Sequence, residues 1–514
     1  MKIKHKQWGI GTKLYELSGG YQILVNFDKH GKIQVLQKDC EEVSDNKVEK
    51  VENNKMEKVS DTTYELDDKK DHNIKSHKVE QDNEGSGNFK IKSVPIVDSF
   101  EITKNKKIVE AFRLGVVPGF AVQDITVGRE KEIKKVEKWL AKDSGSLMMI
   151  GQYGQGKSHI IRYIREKALD EGYLVGYCDI GEESKMHKPK SVFNTIMKSL
   201  EFEGKDQQKS NDLAKFLKLY AAFASKSNVK IEKNVSKFLK PGILKLMDKP
   251  RNKDNVNDLD SNYFTSFIDY LCGDEDLANM YRFDSKKAIQ DYQTSASIIC
   301  NILSSIGNMA VSMNGSKNNF KGLILIFDEG ETIDSPALLS KERDGGINFI
   351  KGLTEISNNN PDLLSEKTAK EKKGKWTGKW TGKKTNLIYS GMHKDTKFCN
   401  QKDNHVKCLF AFVEGESEVI DILEERGVEK IILNDFTNDE KYELINKVIE
   451  IYKKAYSYEI KNIEKLKNIL IKKLENSNNT RSVIKITVEA IELIKEDERL
   501  VEDSDENDYE KILR

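Results

Sequence analysis

The fold is decided by the stretch "LMMIGQYGQGKSHIIRYIREKALDEGYLVGYCDI", residues 147–180. An apolar run at 147–150 predicts a buried strand, and a second run at 173–180 predicts another. Between the two runs, apolar residues recur at helical spacing, at Ile160, Ile161, Ile164 and Ala168. Gly172 lies where this helix should end. A strand, a helix and a strand in about thirty residues form a βαβ unit, which predicts a parallel sheet.

The loop inside this stretch, "GQYGQGKS" at 151–158, matches G-x-x-x-x-G-K-[ST] at every fixed position. Glycines let successive backbone N–H groups turn toward an anion, and the following helix adds the positive end of its dipole. In this motif Lys157 reaches the β- and γ-phosphates and Ser158 binds Mg²⁺. The sequence therefore predicts a site for ATP and Mg²⁺, with an ordinary glycine turn as the alternative. The residues predicted to contact the nucleotide here are Gly151, Gln152, Tyr153, Gly154, Gln155, Gly156, Lys157, Ser158 and His159.

Hydrolysis needs a second acidic element, and "GLILIFDEGETI" at 322–333 supplies one. Its continuous apolar run predicts a strand that is buried on both faces and ends in two carboxylates. Asp328 is expected to hold Mg²⁺ through water, and Glu329 to polarise the attacking water. Glu331 has no assigned role, and a surface Asp-Glu pair at a strand end is the alternative interpretation.

The rest of the chain predicts an α/β core with smaller parts on each side. Residues 1–43 predict a small antiparallel β-barrel, and the charged stretch 44–95 predicts a disordered linker. Residues 96–435 are expected to form the α/β core, with a mostly helical insertion at about 190–320 and further strands at 385–390 and 429–433. A helical lid at 436–500 opens with a capping box, Thr437 and Glu440, and an acidic tail follows at 501–514.

Composition excludes several classes of protein. The formal net charge of the 514 residues is only +1, so the overall charge predicts neither nucleic-acid nor membrane binding. No apolar run approaches the length that spans a bilayer, and no secretory signal begins the chain. Six cysteines, mostly far apart, indicate a reduced and therefore cytoplasmic protein.

"VGRE" at 127–130, just before an amphipathic helix, resembles the AAA+ ATPases of the origin-recognition and STAND-like branches. The resemblance implies that Val127 and Gly128 pack beside the adenine. It also implies a sensor-one residue after the fourth strand, which is Ser390 or His393 in "TNLIYSGMHK".

The same resemblance implies two arginines that act on the γ-phosphate. Arg481 is the sensor-two candidate, although Thr480 stands before it where the family often has proline. Arg426 is the candidate for an arginine finger donated to a neighbouring subunit, with Arg343 as its rival. A finger implies a homo-oligomer.

Five segments together, "VGREKEI", "GQYGQGKSH", "YCDI", "GLILIFDEGETI" and "IILNDFTNDEKYELINKVIEIYKKAY", are similar to the BREX-type ATP-binding family of bacterial anti-phage loci. This similarity covers about residues 120–500. It implies a helicase or TerB-like protein partner and action on DNA.

Three other patterns are weaker. "HKQWGIGTKL" near the start is similar to the Tudor or SH3-like tail of superfamily-one helicases, which implies a docking module, with Trp8 as a core residue in the alternative. "KWTG" occurs twice within 372–385, and lysines with tryptophans suit nucleic acid, although a solvated insertion is favoured. "HKDTKFCNQKDNHVKC" at 393–408 holds four potential zinc ligands, His393, Cys399, His405 and Cys408, without the usual paired spacing, so ordinary loop residues are favoured.

These observations favour an ATPase that remodels or loads a partner on DNA. A nucleotide-gated scaffold with negligible turnover is the alternative. A replication-initiator-like regulator is favoured less, because the stretch after the last lid helix is too short for a winged helix.

Overall fold

The computed structural model describes most of residues 96–500 and, near the start, only the backbone of five strands within residues 2–43. The larger gaps in 96–500 are at 204–208, at 248–294 apart from a few positions, at 315–318, at 371–379 and at 390–394. The chain divides into two units, Met1–Ile91 and Lys92–Arg514.

The described strands are β1 (Lys2–His5), β2 (Gly9–Leu17), β3 (Gln22–Phe27), β4 (Gly31–Leu36), β5 (Cys40–Val43), β6 (Gly145–Ile150), β7 (Tyr173–Asp179), β8 (Glu201–Glu203), β9 (Lys209–Asn211), β10 (Gly322–Asp328), β11 (Thr368–Lys370), β12 (Trp380–Gly382), β13 (Ile388–Tyr389), β14 (Val406–Phe412) and β15 (Glu429–Ile432). The described helices are α1 (Ile96–Arg113), α2 (Val122–Ile125), α3 (Glu130–Leu140), α4 (Lys157–Asp170), α5 (Pro189–Lys198), α6 (Leu213–Ser227), α7 (Lys240–Met247), α8 (Ala296–Ser312), α9 (Ser340–Ser357), α10 (Asp362–Ser365), α11 (Glu418–Glu425), α12 (Asn438–Tyr456), α13 (Ile463–Leu474) and α14 (Thr480–Glu496), with 3₁₀ turns at Gly119–Ala121 and Gly330–Asp334.

The larger unit is built on a seven-stranded sheet in the order β15-β6-β14-β10-β7-β8-β9. The five strands from β15 to β7 are parallel, and β8 and β9 extend the sheet antiparallel. Helices α3 and α4 cover one face, and α5, α6, α8, α9 and α11 cover the other. Every residue of β10 and β14 is buried because helices cover both faces, and this confirms the prediction for β10. The sheet fits the core of a P-loop NTPase.

The predicted fourth strand of this sheet, 385–390, is wrong. Ile388–Tyr389 pairs antiparallel with β12 in a separate three-stranded sheet, and β14 occupies the place between β6 and β10. Lys407 lies inside β14 and interrupts its apolar pattern. The lysine is nevertheless buried, because its Nζ donates to the carbonyls of Trp139 and Lys142 at the end of α3.

The lid contains an additional helix that the sequence interpretation assigned to the α/β core. Helices α12, α13 and α14 share one apolar core with α1, in which Phe112 and Val109 are buried. Arg113 on α1 also pairs with Glu492 on α14. The first helix of this unit therefore packs against its last helices, and these helices lie next to the phosphate loop.

The smaller unit contains strands β1 to β5, which pair antiparallel in the order β4-β3-β2-β1-β5. Closure of these strands into a Tudor-like or SH3-like barrel stays a prediction. The predicted linker, 44–95, and the acidic tail, 501–514, lie outside the described residues. Within the described part of the chain, no helix is both long and apolar enough to cross a membrane.

Two phenylalanines on α1 give a matched test of the lid packing. Phe112 is fully buried, whereas the side chain of Phe100 is 78% exposed. We expect Phe112→Ala to lower the free energy of unfolding by about 3–5 kcal/mol, because it leaves a cavity, and Phe100→Ala to change it by about 0.5 kcal/mol or less. Urea unfolding followed by circular dichroism measures both. Equal losses in the two variants would contradict the packing of α1 against the lid.

Candidate nucleotide site

The phosphate loop runs from the carboxyl end of β6 to the first turn of α4. Gly154 and Gly156 have φ angles of 87° and 94°, which only glycine adopts without strain. Gly156 is the N-cap of α4, and its carbonyl accepts from the amides of His159 and Ile160. The N-terminus of α4, with the positive end of its dipole, therefore lies at the loop, as an anion site requires.

Lys157 is folded against its own loop. Its Nζ donates to the carbonyls of Gly151 at 2.7 Å and Gln152 at 3.2 Å, and it lies 5.2 Å from the centre of the Tyr153 ring. Burial lowers the pKa of Lys157, while Glu331, Asp328 and Glu329 oppose that shift. The amine thus lies in the field of all three carboxylates of the acidic strand end.

Asp328 ends β10 and is buried. One carboxylate oxygen accepts from the amide of Glu329 at 3.0 Å, and the other lies 3.5 Å from the Tyr177 hydroxyl. Burial raises the pKa of Asp328, because the buried charge is poorly compensated, and neighbouring Asp179 raises it further. A divalent cation would supply the missing compensation, so the residues present fit Mg²⁺.

The two glutamates after Asp328 lie in different surroundings. Glu329 has a left-handed φ of 57° and a largely exposed side chain. Partial desolvation of the carboxylate, together with the nearby charge of Asp179, raises its pKa. Glu331 accepts from the Tyr153 hydroxyl at 3.2 Å and from the Val413 amide at 3.1 Å. Glu331 therefore ties the phosphate loop to the end of β14, a role that the sequence left unassigned.

The loop, the acids and the lid line one cavity of about 400 Å³. It brings together Lys157, Ser158, Asp328, Glu329 and Arg481, which lie far apart in sequence. The residues of this cavity that sequence reasoning missed are Gly115, Val117, Arg162, Glu331, Asn479, Thr480 and Ile484. Arg162 could have been found, because it lies one helical turn after Ser158 on the same face of α4.

A smaller, mostly apolar pocket of about 30 Å³ adjoins this cavity and shares Val117, Gly156, His159, Thr480 and Ile484 with it. Val127 lines the smaller pocket, as do Phe436 and Leu444 from the start of the lid. Gly128 does not line it. At Gly128, where φ is 62°, an added Cβ would lie 2.6 Å from Glu440, so this glycine permits close packing of the lid.

Two predicted contact residues point away from the cavity. The side chain of Gln155 donates to Asp435 at 2.6 Å and accepts from the Gln152 amide at 2.6 Å. Gly151 is buried against Leu433. Both residues join the loop to the segment between β15 and the lid.

Arg129 makes the firmest of these connections. Its buried guanidinium donates to the carbonyls of Gln155 and Asn434, both at 2.9 Å, and lies 4.5 Å from the centre of the Phe436 ring. Burial lowers the pKa of Arg129, and Glu132, 3.6 Å away, opposes that shift. The arginine of the "VGRE" segment thus holds the phosphate loop against the base of the lid.

The other predicted catalytic residues are not among the described residues that line this cavity. Ser390 and His393 fall outside the described residues, and with 385–390 excluded from the core sheet the reason for choosing them as sensor one is lost. Arg426 pairs with Glu355, and Arg343 pairs with Asp334 and Glu418. Either arginine would have to leave an ion pair to reach a neighbouring subunit, and the finger stays a prediction.

The weaker motifs show no assembled site where the structure describes them. Cys399 and Cys408 are buried, and the described residues contain no group of three or more metal-binding side chains. The first "KWTG" copy lies outside the described residues, and in the second Trp380 packs against the main core.

Residues 101–240 match the family model described as BREX system ATP-binding protein BrxC/D. The match includes the phosphate loop and ends before β10, so the acidic strand end and the lid lie outside it. Over this part, the chain is similar to ATP-binding proteins of an anti-phage system. No curated protein matches the chain.

The role of Arg129 can be tested by stability. Arg129→Ala leaves two carbonyls and Glu132 without their buried partner, so we expect the free energy of unfolding to fall by about 2–4 kcal/mol. Arg113→Ala, which removes two partly exposed ion pairs, with Glu110 and Glu492, should cost about 1 kcal/mol or less. Urea unfolding compares the two, and similar losses would contradict a special role for Arg129.

Proposed function

We propose that the chain is an AAA+ ATPase that binds Mg·ATP in the 400 Å³ cavity and hydrolyses it. The observation that carries this proposal is the convergence of Lys157, Asp328, Glu329 and Arg481 on one cavity, beside a glycine loop at a helix N-terminus. The similarity of residues 101–240 to BREX ATP-binding proteins supports ATP as the nucleotide.

The loop amides and Lys157 would hold the β- and γ-phosphates. To do so, the Lys157 amine exchanges the carbonyls of Gly151 and Gln152 for phosphate oxygens. Ser158 and Asp328 would hold Mg²⁺, which neutralises phosphate charge when it is bound. The smaller pocket, lined by Val127 and Phe436, adjoins the cavity on the side of α14, and at about 30 Å³ it would have to widen to admit the apolar faces of a base.

Glu329 is the proposed base. Its exposed side chain lines the cavity, and its raised pKa fits a carboxylate that accepts a proton from the attacking water. Arg162 and Arg481 line the same cavity and would stabilise the charge that develops on the transferred phosphoryl group. Glu331 would position the loop through Tyr153 and would not itself act on the water.

We further propose that turnover remodels or loads a partner on DNA in a BREX-like defence system. A helicase or TerB-like protein is the expected partner, and a homo-oligomer would supply an arginine finger. These proposals rest on the sequence resemblance, which the similarity of residues 101–240 supports in its coarser form.

A nucleotide-gated scaffold is the second candidate. The observation that favours it is the direct contact between α14 and the phosphate loop, since Thr480 donates to the Gly154 carbonyl. In that case nucleotide binding sets the lid position, and phosphate release is negligible with and without DNA.

Two substitutions test ATP binding and hydrolysis. We expect Lys157→Ala to abolish ATP binding. We expect Glu329→Gln to bind ATP but to hydrolyse it about 100-fold more slowly or worse, because the base is removed while the phosphate loop is intact. Calorimetric titration and phosphate release measure the two effects. Lys138→Ala and Glu489→Gln, both at exposed positions, are the controls. Hydrolysis that survives both site substitutions would refute the ATPase proposal.

The effect of DNA separates the two candidates. For the ATPase, duplex DNA should raise steady-state phosphate release, and the increase should fall as salt rises, because phosphate contacts depend on counterion release. Glu329→Gln serves as the background control in the same assay. ATP binding with no turnover in either condition would favour the scaffold.

A further inference from the structure

Thr480, in the last helix of the lid, hydrogen-bonds directly to the phosphate loop. Both its backbone N–H and its hydroxyl donate to the carbonyl of Gly154, each at 3.0 Å. Thr480 is the first residue of α14, and Asn479 before it is the N-cap, whose side chain accepts from the Arg481 amide. The bond to the loop therefore originates at the end of α14 that carries Arg481.

The surroundings of Gly154 show how closely the two parts fit. Gly154 has a φ of 87°, and a Cβ built there would lie 2.8 Å from the side chain of Asn479. A neighbouring glycine, Gly115, fits against Arg481 in the same way, because its Cβ would lie 2.2 Å from that side chain. Glycines on two separate segments thus leave room for the first turn of α14.

The contact leaves the cavity open. Asn479, Thr480 and Arg481 line the 400 Å³ cavity together with Lys157 and Asp328. The bonds to Gly154 thus hold α14 over the cavity without filling it. With α14 held there, the side chain of Arg481 stays at the same cavity as the loop lysine.

We infer that Thr480 is a positioning residue that latches the lid to the phosphate loop and so holds Arg481 at the bound triphosphate. This inference rests on the proposed function for its effect on ATP, whereas the latch itself consists of two hydrogen bonds within the chain. Removing the latch should loosen the loop in the free protein and speed the loss of bound ATP.

Two variants remove the latch in graded steps. Thr480→Val keeps the β-branched shape and the N–H and removes the hydroxyl donor. Thr480→Pro removes both donors, yet proline is well tolerated at the first position of a helix. The residue before it, Asn479, already has the extended conformation that precedes proline. Ser482→Ala, on the same turn but outside the cavity lining, is the control.

The first experiment uses the full chain without nucleotide. Hydrogen exchange of the 151–158 amides should be faster in Thr480→Pro than in the wild type, and unchanged in Ser482→Ala. The comparison is made between proteins of equal melting temperature, so that faster exchange reports the loop and not global unfolding. Unchanged exchange in Thr480→Pro would overturn the latch, whether or not the protein binds ATP. Absence of ATP binding by the wild type would count against the proposed function alone.

The second experiment measures the dissociation rate of a fluorescent ATP analogue with Mg²⁺. We expect about a fivefold increase for Thr480→Val and about thirtyfold for Thr480→Pro, the factors expected for one and two lost hydrogen bonds. In an Arg481→Ala background the effect of Thr480→Pro should fall below about twofold, because the latch acts through Arg481. A full effect in that background would show that Thr480 does not act by positioning Arg481.

Discussion

A loop that binds phosphate keeps its shape only if its carbonyl groups, which would repel the anion, are held by donors away from the phosphate site. Here five of the six carbonyls between Gly151 and Gly156 accept hydrogen bonds from groups around the loop. The donors are Lys157, the first turn of α4, Arg129 and Thr480. The loop shape thus depends on the core helices and on the lid at once, and the cavity exists only where these parts meet.

Arg129 shows how this constraint reaches beyond the loop. Its guanidinium also binds the carbonyl of Asn434, between the last sheet strand and the lid. Gln155 makes a parallel connection to Asp435. The segment that leads into the lid and the start of its last helix, at Thr480, are therefore both attached to the same six-residue loop. Any rotation of the lid must act on the backbone that would hold the phosphates.

Sequence reasoning found the parts of this arrangement that are encoded locally. The phosphate loop, the strand ending at Asp328 and the lid helix with its Thr437–Glu440 capping box all carry their signal within about a dozen residues, and the structure contains each of them. It failed where an element or a role can be recognised only from contacts between segments that are distant in sequence. β14 was missed because a lysine within an apolar run argues against a buried strand. Lys407 can be buried there because its Nζ donates to carbonyls at the end of α3, and these contacts cannot be read from the sequence. No role was predicted for Arg129 or Thr480, because their partners are backbone groups of distant segments.

The packing of α1 against the lid has a consequence for synthesis of the chain. Arg113 on α1 meets Glu492 on α14 across 379 residues of sequence. At translation speeds of 5–20 residues per second, roughly 20 to 80 seconds separate the emergence of these two helices from the ribosome. Until α12 and α14 have both emerged, the apolar stripe around Phe112 lacks part of its native cover, and exposed apolar surface of this kind is prone to aggregation. A chain that ends before α14 would still contain α12 but would leave the side of α1 that faces α14 uncovered.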